Sequence, residues 1–309
     1  MRTRMEAFIR NLQLEIVEAM ESLEGPTGAK FLRDTWERPN KEEGGGISCV
    51  LNHGKTFEKA AVLVSAIHGR APPQILSRIP EAKRAKIKGP LKMYATGMSL
   101  VIHPLNPMAP TSHCNYRYIE VVDDQGSVID SWFGGGSDLT PTYVIEEDAV
   151  HFHRLLKDAS DPFDPSYYQK FKVEADKYFW IPHRQETRGV GGIFFDDFRG
   201  KNPEHAFAFV RSCGSAFVPM YQDIVAKRKD TPFTEAEKEW QMLRRGRYAE
   251  FNLVIDKGVK FGLVVPQARV ESILASLPGS CKWEYMHSPV PGSREDATLQ
   301  VLKNPRDWV

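Results

Sequence analysis

No two of the four cysteines, Cys49, Cys114, Cys213 and Cys281, form a Cys-x-x-Cys pair. That spacing excludes a redox dithiol and argues against structural zinc, and scattered thiols suit a reducing compartment. Long apolar runs are missing as well, so no membrane span is expected. Acidic residues recur from Glu6 onward, which argues against a secretory signal and against a mitochondrial transit peptide. These features lead us to expect a cytoplasmic protein. Excess charge of one sign is absent: 41 Lys+Arg face 40 Asp+Glu. A near-neutral balance excludes a general nucleic-acid footprint, while local arginine clusters remain able to bind a small acidic molecule. Several catalytic signatures are lacking too. There is no strand-linked glycine fingerprint for a dinucleotide, no His-Glu-x-x-His pair, no carboxylate triad for iron and no nucleophile elbow. His53-Gly54-Lys55-Thr56 resembles the end of a phosphate loop, but Cys49 stands where its first glycine belongs.

What is present concentrates between Met98 and Asp138. Met98–His103 alternates, so Ser99, Val101 and His103 share one strand face, with Met98, Leu100 and Ile102 opposite. Three prolines between His103 and Pro110 end that strand. His113–Val121 reads as a second strand, placing His113, Asn115 and Arg117 on one face and Tyr116 and Tyr118 on the other. A third strand, Val128–Phe133, leads into a turn at Gly134-Gly135-Gly136 and then Asp138. A polar strand face of this kind has two readings: a solvated surface, or the floor of a cleft for an anionic ligand.

Around this stretch, Thr3–Leu23 carries a helical apolar stripe stopped by Gly25-Pro26. Phe31–Arg38, Ile47–Leu51 and Phe57–His68 read as strands, with Trp36 expected in the core. Arg70–Pro90 reads as a loop able to close over a cleft. Helices are expected at Tyr143–Asp158, from Asp164-Pro165 to Tyr178, and at Pro203–Arg228 with a bend at Gly214. Ile193–Phe195 reads as a short strand after a bend at Arg188–Gly192. Thr234 and Glu237 form a capping box for a helix ending near Gly246. Tyr248–Ile255 and Val259–Val265 then read as a hairpin, Arg269–Leu277 as a helix, Lys282–His287 as a strand and Ser293–Leu302 as the last helix. The order lacks βαβ alternation and no linker divides the chain. We therefore expect one α+β domain over 1–309, a mainly antiparallel sheet packed by helices.

Residue types alone leave the chemistry open. His103 and His113 can titrate near neutrality or bind a metal. His153 and His183 join them only if folding brings them there, and His151 and His153 diverge on a helix. A buried structural role is an equal reading for His153. For Asp138 the plain alternative is a turn or cap, and for His113 a strand histidine held by a backbone hydrogen bond.

Longer segments are more specific: SLVIHPLNP, TSHCNYRY, WFGGGSDLTPTY, EEDAVHFHR, HRQETRGVGGIFFDD, RRGRYAEFNLV, RVESILASLP, KWEYMHSP and the terminal PRDW. Through them the chain resembles the oxygen-dependent coproporphyrinogen-III oxidase family of haem biosynthesis over nearly its whole length past Cys49. The resemblance implies a broad sheet of about seven antiparallel strands with helices on both sides, and a homodimer with C-terminal elements at the interface. It implies oxidative decarboxylation of two propionates of coproporphyrinogen III to vinyl groups. Molecular oxygen is the acceptor and no cofactor is needed. It implies His113 as proton donor, with Asp138 and Arg117 catalytic. Asp138 would accept from pyrrole N–H groups or face a developing cation. Ser99, Asn115, Tyr116, Arg117, Gln267, Ala268 and Arg269 would bind substrate. A metal at His103, His113, His153 and His183 is the less favoured alternative. Two departures stand out. Pro266-Gln267-Ala268-Arg269 lacks the glycine or serine usual before that arginine, and Lys257 follows Asp256 where arginine is frequent. A tetrapyrrole binder without turnover and a purely structural protein are the rival classes.

Overall fold

The computed structural model describes residues 1–309 except Lys86, Lys88 and residues 265–267, and except the Phe261 side chain. Seven strands form one sheet in the order β1 (Leu32–Glu37), β2 (Gly44–Asn52), β3 (Phe57–Arg70), β4 (Lys92–Pro104), β5 (Thr111–Val122), β6 (Val128–Thr140) and β7 (Gly192–Phe198). Every neighbouring pair is antiparallel. The mixed class and antiparallel sheet are as read from the sequence, and the seven strands with helices on both faces are as the resemblance implied.

The first face of the sheet is covered by helices. In α1 (Arg2–Glu24) the stripe Met5, Ile9, Leu12, Ile16 and Met20 is fully buried. It meets Val62, Val64, Met98 and Leu100 on the strands, joined by α2 (Glu146–Ser160), α3 (Tyr167–Tyr178), α4 (Pro203–Ser215) and α5 (Phe217–Arg228). Each such aliphatic or aromatic side chain removed from water contributes roughly 1.5–3 kcal/mol. Gln13 lies inside this layer and donates to the Ile47 and Val62 carbonyls at 3.0 and 2.8 Å, so its polarity is satisfied.

The second face carries the cavity. Its roof comes from α6 (Glu235–Glu250), a π-helical turn at Phe251–Ile255, α7 (Lys257–Val264) and α8 (Val270–Leu274). Here several expectations fail. The helix capped by Thr234 and Glu237 does not stop at Gly246. Gly246 is needed because the Lys282 backbone crosses it: a Cβ there would lie 2.4 Å from the Lys282 oxygen. The expected hairpin at 248–265 is helical over its described residues except the break at Asp256, Val265 lying outside them. Among the described residues Lys282–His287 pairs with no strand and instead ties back through Lys282 N to the Met242 carbonyl at 2.9 Å.

Other differences are local. The three glycines 134–136 are strand, not turn, and none has positive φ. Asp164 does not cap α3 directly; it accepts from Ser166 N and Oγ at 2.9 and 2.7 Å one turn earlier. The 203–228 helix breaks at Ala216. Residues 70–90 contain a 3-10 turn at Pro73–Arg78 and one helical turn at Glu81–Arg84, and Ile75, Ile79 and Leu91 pack on Val121 and Trp132. The final helix, α9, spans Arg294–Lys303. The turn that resembled a phosphate loop does hold an anion, the Glu24 carboxylate, through the backbone N–H groups of Lys55, Thr56 and Phe57 at 2.7, 2.9 and 2.7 Å. All four cysteines are unpaired. Among the described residues no helix is long and apolar enough to cross a membrane.

Candidate active site

Strand period two and antiparallel register build the floor. Ser99 stands opposite Asn115 and Asn115 opposite Gly136; Gly97, Arg117 and Gly134 form the next row, and Val101, His113 and Asp138 the row on the other side. Above them opens a cavity of about 490 Å³. That size is within the usual range for a small-molecule site. His113, Asn115, Arg117, Ser99, Ala268 and Arg269 line it together, so folding gathers residues separated by up to 170 positions. A solvated strand face is thereby excluded.

His113 and Asp138, directly opposed across β5 and β6, make the central contact: Nδ1 lies 2.8 Å from an Asp138 carboxylate oxygen. Arg188 grips the same carboxylate with Nη2 at 2.9 and 2.7 Å. Burial by itself would raise the Asp138 pKa, but Arg188 and His113 outweigh it and hold the group below the ordinary carboxylate value. Ionised Asp138 accepts only, so His113 Nδ1 carries a proton and Nε2 is the nitrogen left for chemistry. Asp138 is 2% exposed and its oxygens are taken by His113 and Arg188, so it does not reach out to a ligand's N–H; its link to the cavity is His113. The expected direct pyrrole contact is corrected on that ground.

Arg188 was read from sequence only as part of a bend. Its guanidinium is buried among Phe179, Tyr248 and Phe251, with ring centroids 4.3, 4.6 and 4.7 Å away. The signal that could have found it is an arginine inside a glycine-rich, apolar run, where an unpaired charge cannot stay.

The other arginines are also anchored. Arg117 lies in a channel between Gly97 and Gly134; a Cβ at Gly134 would sit 2.7 Å from its Nη2. It donates to Asn115 at 2.7 Å and to Asp196 at 2.9 Å. Arg269 pairs with Asp34 and sits 5.9 Å from the Trp36 ring. Trp36, expected in the core, lines the cavity. Tyr116 is on the opposite face, its hydroxyl 2.9 Å from Ser137 Oγ inside the core, so its side chain is no part of the cavity. Gln267 lies outside the described residues.

The four histidines do not share a site. His103 is wholly buried between Thr111 Oγ1 (3.2 Å) and the Ser276 carbonyl (2.9 Å). His153 is equally buried between the Tyr168 hydroxyl (2.9 Å) and the Val190 carbonyl (3.0 Å). Burial lowers both to about 3 and keeps them neutral. His183 is near the surface against Glu250 at 2.9 Å. Among the described residues no three His, Cys, Asp or Glu side chains converge as metal ligands, so this set does not fit one ion.

The coproporphyrinogen III oxidase family model matches residues 4–308. The chain belongs to that family. It is 54% identical over its whole length to the human protein named oxygen-dependent coproporphyrinogen-III oxidase, mitochondrial, covering 67% of that protein. Identity is 52% to the Drosophila melanogaster oxygen-dependent coproporphyrinogen-III oxidase and 49% to the Arabidopsis thaliana chloroplastic coproporphyrinogen-III oxidase 1, again over the whole chain and over 78% and 79% of those relatives. The family resemblance seen in the motifs thus extends through the N-terminal helix.

Proposed function

We propose that this protein is an oxygen-dependent coproporphyrinogen-III oxidase of haem biosynthesis. It converts two propionates of coproporphyrinogen III to vinyl groups, giving protoporphyrinogen IX. The observation that carries the reading, beyond family membership, is the His113–Asp138–Arg188 array at the floor of a cavity that also holds Arg117 and Arg269. For each propionate, the bond to the carboxyl group and one C–H bond at the ring-side carbon break. A C=C bond forms and carbon dioxide leaves. The two electrons and that hydrogen's proton pass to molecular oxygen, which takes one further proton to become hydrogen peroxide.

The pyrrole rings are electron-rich, so the substrate supplies the reducing electrons and oxygen serves as co-substrate without a resident cofactor. Arg117 and Arg269 suit the carboxylates, because guanidinium offers a planar pair of donors. Ser99, Asn115 and Ala268 line the floor and wall where the macrocycle rests. His113, oriented by ionised Asp138, holds a proton at Nδ1 and handles one at Nε2. A roof closed over bound substrate would limit side oxidation.

The same reading extends to assembly and compartment. A single family model over 4–308 supports one domain for 1–309. Val254, Val264, Trp283, Tyr285, Met286 and Val290, all exposed and all in the C-terminal segments, supply apolar area that would suit a homodimer contact there. Unpaired cysteines support a reducing cytoplasm. The deciding experiment is incubation of the purified chain with coproporphyrinogen III without and then with air, followed by product mass analysis. Product only in air is expected; equal product in both overturns the function. Activity lost on chelation and restored by one metal overturns only the cofactor-free part. A monomer in light scattering overturns the dimer, and cell fractionation checks the compartment.

A further inference from the structure

Five buried polar atoms of cavity-lining residues have no hydrogen-bond partner among the described residues: Trp36 Nε1, Arg269 Nε and, grouped together, the Tyr248 hydroxyl, Asn252 Nδ2 and Arg188 Nε. Tyr248, Asn252 and Arg188 are 2%, 4% and 3% exposed, and all three line the cavity. Their placement is specific. Tyr248 and Asn252 are four residues apart across the end of α6 and the π-helical turn, so they project on one side. Arg188 joins them, donating through Nη1 to Asn252 Oδ1 at 3.3 Å and lying against the Tyr248 ring. His103 meets the same ring edge-on at 5.1 Å. A buried donor without an acceptor costs free energy, and in a cavity that cost is offset by a water or by a ligand oxygen that displaces it.

We propose that Tyr248, Asn252 and Arg188 Nε form the pocket for reduced dioxygen, binding the superoxide or hydroperoxide anion as electrons leave the tetrapyrrole. This rests on the oxygen-dependent reading above and locates its second substrate. The rival occupant is the reacting carboxylate. Donors bonded to that group would stabilise the charge it must lose as carbon dioxide departs, and so would slow the reaction. Dioxygen enters neutral and becomes an anion only during electron transfer, so fixed donors act on the transition state. Burial pushes the Tyr248 phenol up to about 12 against the lowering effects of the Arg188 charge and of the neighbouring Asn252 side chain, so it stays protonated at neutral pH. Its O–H hydrogen-bonds the anion, while the further proton that completes hydrogen peroxide comes from solvent through His113.

Two substitutions test the pocket. Tyr248→Phe keeps the ring against Arg188 and His103 and removes only the hydroxyl. Asn252→Asp keeps the shape and the oxygen that accepts from Arg188, but replaces the amide donor with negative charge. Oxygen uptake at saturating coproporphyrinogen III gives kcat/KM for oxygen; anaerobic calorimetry gives Kd for coproporphyrinogen III. We expect kcat/KM for oxygen to fall about tenfold in Tyr248→Phe and about 100-fold in Asn252→Asp, with Kd unchanged. A weakened Kd with unchanged kcat/KM for oxygen assigns the donors to a propionate and overturns the proposal, as does no change in either. If Asn252→Asp does not fold, Tyr248→Phe decides alone. Wild-type protein that binds coproporphyrinogen III yet takes up no oxygen overturns the activity itself, and this pocket with it.

Discussion

The two faces of the seven-stranded sheet are built from alternate residues of the same strands and obey opposite rules. On the helix-covered face, the polar groups of the strands and of α1 are closed upon one another, and the unpartnered atoms there, Asp161 Oδ1 and His205 Nδ1, lie out in the helical layer. Tyr116 meets Ser137, Tyr118 donates to Glu120 at 2.6 Å, and Gln13 is bonded to two carbonyls. On the cavity face, charge is gathered and then incompletely satisfied. Arg117, Arg188 and Arg269 each hold an aspartate, yet donors remain unpartnered on Trp36, Arg188, Tyr248, Asn252 and Arg269. A side chain's polarity does not separate the faces, since both contain hydroxyls and charges. What separates them is whether the partner comes from the protein or must come from outside.

The largest break of that contrast is Arg188→Ala. It strands the Asp138 carboxylate in the interior, and losing one partner of a buried pair costs about 3–5 kcal/mol. Urea unfolding should show that loss, together with lost turnover, because His113 then faces a carboxylate that prefers to be protonated. Stability equal to wild type would mean that Asp138 finds water and that the floor is less enclosed than its 2% exposure implies.

Acid comes next. Burial, then the charge of Arg245, lowers His103; burial lowers His153, against a raising hydrogen bond from Val190; both end near 3. Between about 6.5 and 3 the unfolded chain binds protons at these imidazoles and the folded one does not. Stability therefore falls as pH drops, by about 1.4 kcal/mol per unit for each histidine. Asp138 adds its own loss only lower, as pH falls below the ordinary carboxylate value toward its depressed one. Unfolding followed from pH 7 to 4 checks the slope, and NMR should show the His103 and His153 rings unshifted between pH 8 and 5.

Arg269→Ala is gentler. A hydrogen bond to a charged group is worth roughly 1.5–3 kcal/mol, or about one to two decades in affinity. Arg269 shares its charge with Asp34, so we expect the lower end, about tenfold in KM with kcat kept. Arg269→Lys should recover part, since a point charge lacks the fork. Asp138→Asn should do the reverse, lowering kcat more than it raises KM, because it acts through His113 rather than on a substrate carboxylate. Steady-state kinetics on both variants distinguishes the two patterns.

How much of this was legible beforehand follows from the same contrast. Period two on β4 and β5 sorted His113, Asn115 and Arg117 from Cys114, Tyr116 and Tyr118, as the burial pattern has it. The N-terminal stripe and the capping box at Thr234 were equally readable, because each is a local rule. The roof was not. Tyr248–Val264 is apolar and rich in valine and phenylalanine, and a short run of that kind cannot be told from a strand by periodicity alone. Gly246 was taken as a stop, although its reason is a chain segment 36 positions later. Arg188 and Asp138 reached their pairing through register between distant strands and a bend, which no window of sequence contains. Tyr116 was placed in the site by the family resemblance, against the alternation that put it on the core face.

The finest cut through the comparison uses adjacent residues of β5. Asn115 accepts from Arg117 on the cavity face; Tyr116 bonds Ser137 on the core face. Asn115→Ala releases one of two groups that steer the Arg117 guanidinium, while Asp196 keeps the other at 2.9 Å. A neutral contact of this kind is worth about 1 kcal/mol, so KM should rise a few-fold, with the melting temperature little changed. Tyr116→Phe deletes a fully buried hydroxyl and leaves Ser137 without its partner, at a cost of about 1–3 kcal/mol in stability. Its KM should not move, because no atom of the tyrosine side chain reaches the cavity. Denaturation midpoints and KM measured on both proteins should therefore change in a crossed pattern. A Tyr116→Phe variant with normal stability and raised KM would place the tyrosine in the site after all, and would mean that β5 presents its other face to the substrate.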